Sequence, residues 1–206
     1  MSDEPCFFSI DAPREMTLKV RRSQFTCRLQ SVDSLELAKA FISTITKANR
    51  TATHNCWAYL LGDQGEVFHS SDAGEPSGTA GKPILHTLQS HNMTHVAAVV
   101  TRIFGGVKLG VKGLMDAYAE SVQAAIDMAP LKRLVKLAGF KVEVAYDFND
   151  MFLARINPFL NKIADTGYSE KIVHHIQIEL KHLAKAEHLL CEYQSQGKLT
   201  FTPIRS

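Results

Sequence analysis

Two glycine-rich stretches hold the residues best suited to chemistry. The first runs Asp72-Ala73-Gly74-Glu75-Pro76-Ser77-Gly78-Thr79-Ala80-Gly81-Lys82-Pro83. Glycine lacks a Cβ, so its backbone N–H can approach a ligand closely and adopt positive φ, and a following helix start supplies unpaired donors. Gly78, Thr79, Gly81 and Lys82 together make a candidate cradle for an anion. The stretch is not a Walker A loop: Pro76 stands where that motif needs Gly, and Pro83 where it needs Ser or Thr. A tight loop with no ligand accounts for the same glycines equally well. The second stretch runs Arg102-Ile103-Phe104-Gly105-Gly106-Val107-Lys108-Leu109-Gly110-Val111-Lys112-Gly113. A cation at the end of an apolar strand, followed by glycines and lysines at a helix start, suits phosphate or carboxylate. Arg102, Gly105, Gly106, Lys108, Gly110, Lys112 and Gly113 are its candidate contacts. The competing reading is a strand-to-helix turn with solvated lysines.

A third cluster is His54-Asn55-Cys56. Two residues apart on an extended strand, His54 and Cys56 share a face, so an imidazole-activated thiolate is one reading. A buried structural Cys beside a hydrogen-bonded His is the simpler one, because no third, orienting group is marked. Asp72 and Glu75 are the candidate acids or bases, although carboxylates are also ordinary turn and cap residues. His174 and His175 point to opposite faces of a strand, and His182 and His188 are wrongly spaced on a helix, so neither pair is read as a metal site. Cys6, Cys27, Cys56 and Cys191 show no CxxC or CxxH pairing. No metal or cofactor is expected.

These residues need positioning elements. Residues 16–32 read as extended, with a turn or bulge at Ser23-Gln24. Asp33 to Glu36 forms a capping-box pattern ahead of a helix to about Ala48. Strands are expected from His54 to Leu61 and from Glu66 to Ser70, joined by the turn Gly62 to Gly65. A short helix follows through Ile84, Leu85 and Leu88. Val96 to Phe104 is apolar on both faces up to Arg102, as in a covered central strand. A last helix carries Leu114, Ala117, Tyr118, Val122, Ala125 and Ala129, and Pro130 stops it. A β-α-β-β-α-β order follows, with a helix marked by Phe148, Met151, Phe152, Phe159, Leu160 and Ile163 and divided by Pro158. The chain is therefore read as a two-domain α+β protein, with domains over 1–132 and 135–206.

With 45% hydrophobic and 21% charged residues among 206, the chain has the material for real cores. The net charge is +2, and residues 1–134 hold 14 basic against 13 acidic side chains, so neither part carries a global bias toward nucleic acid or membranes. No apolar run is long enough to span a bilayer. The acidic start and scattered cysteines lead us to expect a cytoplasmic protein with free thiols.

Taken in order, Asp72-x-Gly74-Glu75-Pro76-Ser77-Gly78-Thr79-Ala80-Gly81-Lys82-Pro83 and Val99-Val100-x-Arg102-x-Phe104-Gly105-Gly106-x-x-Leu109-Gly110-x-x-Gly113-Leu114-x-x-Ala117-Tyr118 resemble the IMPACT (imprinted-and-ancient) family, in its bacterial YigZ-like branch. His54-Asn55-Cys56-x-Ala58 and Arg22-Ser23-x-Phe25 fit it as well. The resemblance implies a first domain like domain 2 of ribosomal protein S5. It implies a ferredoxin-like second domain, similar to the last domain of elongation factor G. Ala73 replaces a common Asp of the signature, Ile103 a usual aromatic, and Lys112 a usual Gly.

Eukaryotic relatives regulate translation through the amino-acid starvation kinase pathway, using an extra N-terminal domain. That part of their function is not carried over; the favoured reading is a binding module, a translation-associated regulator recognising RNA or a ribosome-linked surface, with Arg102, Lys82, Lys108 and Lys112 meeting phosphate. The alternative is an enzyme, a hydrolase or transferase acting on a phosphorylated or peptidic small molecule through His54, Asp72 and Glu75. The two glycine-rich stretches are expected to converge near His54, and no aromatic platform of the RRM kind is visible in the first domain.

Overall fold

The computed structural model describes residues 6–204. The chain divides into two compact units between Leu134 and Val135. The first contains, in order, β1 (Phe7–Ser9), β2 (Arg14–Val20), β3 (Ser23–Ser31), α1 (Leu35–Ala48), β4 (His54–Leu61), β5 (Val67–Ser71), α2 (Gly81–Ser90), β6 (Val96–Ile103), α3 (Gly110–Ile126) and β7 (Lys132–Leu134). Five strands form one sheet in the order β2-β3-β6-β4-β5, every neighbouring pair antiparallel. β1 and β7 pair separately.

β6 is central and buried along its length up to Ile103, because both faces of the sheet are covered. On one face Val96, Ala98 and Val100 join Phe25, Cys56, Leu60, Ile84, Leu88, Leu114, Tyr118 and Val122 in the main core beneath α2 and α3. On the other, Ala97, Tyr59 and Leu61 pack with Val32 and Ala38 beneath α1. This is the alternation of a strand, used on both sides.

Several ends differ from the sequence reading: α3 stops at Ile126, before Ala129 and Pro130. The N-cap of α1 is Ser34, which accepts from Leu37 N–H at 3.2 Å, so the cap lies one residue beyond Asp33. The turn after β2 falls at Arg21-Arg22 rather than Ser23-Gln24, with Arg21 at φ 53°. At the far end of α3, the buried Arg14 guanidinium donates to the carbonyls of Ile126 and Pro130, supplying a cation where the helix dipole is negative.

The second unit runs β8 (Leu137–Val144), α4 (Asn149–Ile156), β9 (Leu160–Tyr168), β10 (Ile172–Glu179), α5 (Leu183–Ser195) and β11 (Leu199–Ile204). Its sheet has the order β11-β8-β10-β9, all antiparallel. Alternate residues Phe140, Val142, Val144 and Ile172, Ile176, Ile178 meet Phe152, Ile156, Ala186, Leu190 and Tyr193 in its core. Leu160 and Ile163, read from the sequence as helical, belong instead to β9. Pro158 lies in a short 3-10 turn that closes α4 and turns the chain into the strand. Among the described residues no helix is long and apolar enough to cross a membrane.

Candidate functional site

Sheet register places three signature residues in one row. His54 on β4 and Phe25 on β3 both lie opposite Arg102 on β6. β5 ends beside Trp57, and the loop after it folds back across this row. Glu75 from that loop accepts from Arg102 Nη1 at 2.6 Å and from the Tyr118 hydroxyl at 2.9 Å, both at Oε1. The pair is buried, with side chains 7% (Arg102) and 2% (Glu75) exposed. Phe25 and Phe104 flank the guanidinium, their ring centres 5.5 and 5.4 Å from its carbon. Arg102 Nε is buried without a hydrogen-bond partner among the described residues.

His54 Nδ1 lies 3.0 Å from the Ala73 carbonyl, and since a carbonyl only accepts, Nδ1 carries the proton. Its Nε2 faces Glu75 Oε2 at 3.9 Å, beyond hydrogen-bond reach. Gly74 packs against the imidazole, and a Cβ there would sit 3.2 Å from Nδ1. Cys56 Sγ lies 2.9 Å from the Asp72 carbonyl and 3.3 Å from the Tyr118 hydroxyl. Burial, only partly opposed by the Tyr118 hydrogen bond, pushes the Cys56 thiol up to about 12. Burial also raises Tyr118, with Cys56 and Glu75 adding to the effect. A thiol in this state is not a ready nucleophile, so the imidazole-activated thiolate is set aside in favour of a structural Cys56.

The anion cradle is real, and the chain fills it itself. Asp72 Oδ2 accepts from Gly78 N–H at 2.8 Å, while Oδ1 accepts from Ala80 and Gly81 N–H, each at 2.9 Å. Burial works against this carboxylate, but the three backbone donors outweigh it and hold Asp72 below its ordinary range. α2 has no cap from its own Ala80, so Asp72 serves as the cap from outside the helix. The assignment of Gly78 and Gly81 to an external anion is therefore corrected: their N–H groups are consumed. Thr79 is buried and its hydroxyl donates to the Pro76 carbonyl at 2.7 Å, which removes it from the ligand list too. Gly81 is needed for space, since a Cβ would meet the Ser71 backbone at 2.8 Å. Lys82 is exposed, and its charge adds to the backbone donors in favouring the Asp72 carboxylate.

The second stretch is built differently. Gly105 lies flat on the hairpin turn, where a Cβ would fall 1.7 Å from the Arg22 carbonyl oxygen, and its N–H donates to Ser23 Oγ at 3.3 Å. Phe104 N–H donates to Thr53 Oγ1 at 2.9 Å. Gly106 and Gly110 adopt φ 85° and 76° in open space, and Gly113 sits against Leu109. Arg21 Nη1 reaches the Lys108 carbonyl at 3.3 Å, so the β2–β3 turn and this loop form one surface. Arg21, Arg22 and Lys108 are exposed on it, and Lys112 is exposed in the first turn of α3 that follows. Arg102 is not: its charge is turned inward and matched by Glu75, which corrects its assignment as a phosphate contact. The two stretches thus approach each other through Glu75 and Arg102, not through glycine N–H groups. Sequence reasoning missed Tyr118, whose place in an apolar helical stripe reads as plain core. It also missed Phe104 and Arg21 as site residues.

Residues 21–126 match the Impact N-terminal domain. The chain is 40% identical to the IMPACT family member YvyE of Bacillus subtilis over 121 residues, 59% of this chain and 56% of YvyE. It is 29% identical to the IMPACT family member YigZ of Escherichia coli over 195 residues, 94% of this chain and 95% of YigZ. A crystal structure described as a hypothetical protein superposes with a TM-score of 0.62 at 28% identity, covering 98% of both chains. The signature row, the loop that closes over it and the matched domain coincide, and the chain belongs to the IMPACT family, in its YigZ-like branch.

Proposed function

We propose that this chain is a cytoplasmic, translation-associated protein that binds RNA through the surface shared by the β2–β3 turn and the loop before α3. Arg21, Arg22, Lys108 and Lys112 carry the reading. All four are exposed, Arg21 reaches the Lys108 backbone, and none of them is ion-paired with a carboxylate among the described residues. Two glycines hold them there: Gly105 lets the loop lie on the Arg22 backbone, and Gly106 takes the turn that follows. Unpaired cations at such spacing gain most from a polyanion, because each phosphate they neutralise releases condensed counterions. A likeness of the two units to domain 2 of ribosomal protein S5 and to the last domain of elongation factor G is part of this proposal and would suit a ribosomal setting. Fold alone would not carry it.

The test is binding of unstructured RNA over a range of salt. With about four phosphates engaged, affinity should fall with a log–log slope of roughly −3. Lys108→Glu combined with Lys112→Glu should flatten that slope and abolish most binding, equally for unrelated sequences. Undetectable binding at low salt, or binding indifferent to the charge reversals, would refute the proposal.

A further inference from the structure

We infer that Phe104 is a stacking platform for an unpaired RNA base, so that the ligand of this surface is single-stranded; the inference rests on the RNA-binding reading above. Phe104 is 42% exposed just past the end of the central strand, which leaves part of its ring accessible to a ligand. It is also held in place on several sides. Its N–H is bound by Thr53, the next residue is seated on Arg22, and the Arg102 guanidinium backs its ring at 5.4 Å. Arg102 in turn is fixed by Glu75 and cannot swing out to meet phosphate itself. The buried ion pair therefore has a consequence at the surface: it supports a rigid, flat ring with its outer side open.

The surroundings select the occupant. Arg21 and Arg22 belong to the turn and Lys108 to the loop that Phe104 opens, with Lys112 following in the first turn of α3, so a base on the ring would bring its own phosphates toward the cations. Aromatic rings tolerate any base, because every base has a π-face, and a duplex keeps its bases stacked away from such a ring. An anionic membrane would also welcome a Phe among cations. Ile103, on the opposite side of the strand, adds nothing to such a contact, but Val111 and Met115 on α3 are also exposed, so vesicles form a separate arm of the test.

The experiment compares wild type, Phe104→Ala, Phe104→Trp and the Lys108→Glu/Lys112→Glu variant, on an unstructured oligoribonucleotide, its duplex, and vesicles containing anionic lipid. Phe104→Ala should weaken single-strand binding about 5- to 100-fold with an unchanged salt slope. Phe104→Trp should retain binding, and duplex binding should be weaker and indifferent to residue 104. A fluorescent base analogue in the strand should be quenched by wild type and not by Phe104→Ala. If Phe104→Ala binds like wild type while the charge reversals abolish binding, the stacking inference falls and the RNA-binding reading stands. If wild type binds no RNA, both fall. If residue 104 matters only for vesicles, the surface is a lipid contact and the inference is overturned.

Discussion

Asp72 and Glu75 lie three residues apart in one loop, and both are spent on holding that loop in place. Asp72 satisfies the start of α2, and Glu75 satisfies Arg102 and Tyr118. The Glu75 arrangement makes a sharp prediction. Glu75→Gln keeps the size of the side chain but leaves Arg102 charged and buried, and loss of one partner of such a pair costs about 3–5 kcal/mol. Replacing both, as Glu75→Gln with Arg102→Met, removes the stranded charge and should recover much of that loss. Chemical denaturation of the three proteins decides it: a double variant no more stable than Glu75→Gln alone would mean the pair is not the source of the cost. Half of this cluster was legible in the sequence. Asp72, Glu75, Arg102 and His54 are polar residues among glycines and prolines, and so they attract notice. Their partners were not legible, because Glu75 meets Arg102 and Tyr118 across 27 and 43 residues of chain, and no local pattern records a contact of that range. The cradle was misread for a related reason. Spacing marks a place for an anion, but it does not reveal that the anion is Asp72, eight and nine residues away from two of its donors.

At the scale of elements, periodicity identified most helices and strands, and the discrepancies sit at their ends. The α1 cap moved from Asp33 to Ser34 because both are competent acceptors and only backbone geometry chooses between them. β9 was hidden because Leu160 and Ile163 continue the helical spacing of Phe152 and Ile156 past Pro158, and apolar spacing alone cannot show where a proline makes the switch. Arg14 was also overlooked, since an arginine opening an edge strand looks like surface. Its position beneath the C-terminal end of α3 gives it a specific role there: it holds two carbonyls that the helix leaves open and offsets the dipole. Arg14→Ala should therefore destabilise the first unit by about 1–3 kcal/mol, the range for hydrogen bonds to a charged group. Arg14→Lys should recover only part of this, as one ammonium cannot reproduce the fork that spans Ile126 and Pro130. Thermal unfolding measures it, and an Arg14→Ala protein as stable as wild type would remove Arg14 from the account of how α3 ends.

Over the whole molecule, the two units differ in how they should respond to acid. His174 is 3% exposed in the second unit, with Nε2 2.7 Å from Asn149 Oδ1 and Nδ1 3.0 Å from Thr166 Oγ1, and Phe152 stacks on its ring. Burial lowers its pKa below the ordinary 6.5, so the folded state holds it neutral while the unfolded chain binds a proton more readily. The sign follows directly. Stability is complete above pH 6.5 and is lost as pH falls from there through the lower folded value, where the unfolded state carries the extra proton. Each unit has its own sheet and its own core, so we expect residues 135–206 to fold alone and to carry this response with them. His174→Gln preserves a donor and an acceptor for Asn149 and Thr166 without the ionisation. Denaturant titrations of the fragment between pH 7.5 and pH 5, about one unit either side of the ordinary histidine range, should show wild type losing stability steadily and His174→Gln losing less. Parallel pH slopes would show that His174 is not the titrating group, and a fragment lacking a cooperative transition at any pH would show that the second core does not suffice by itself.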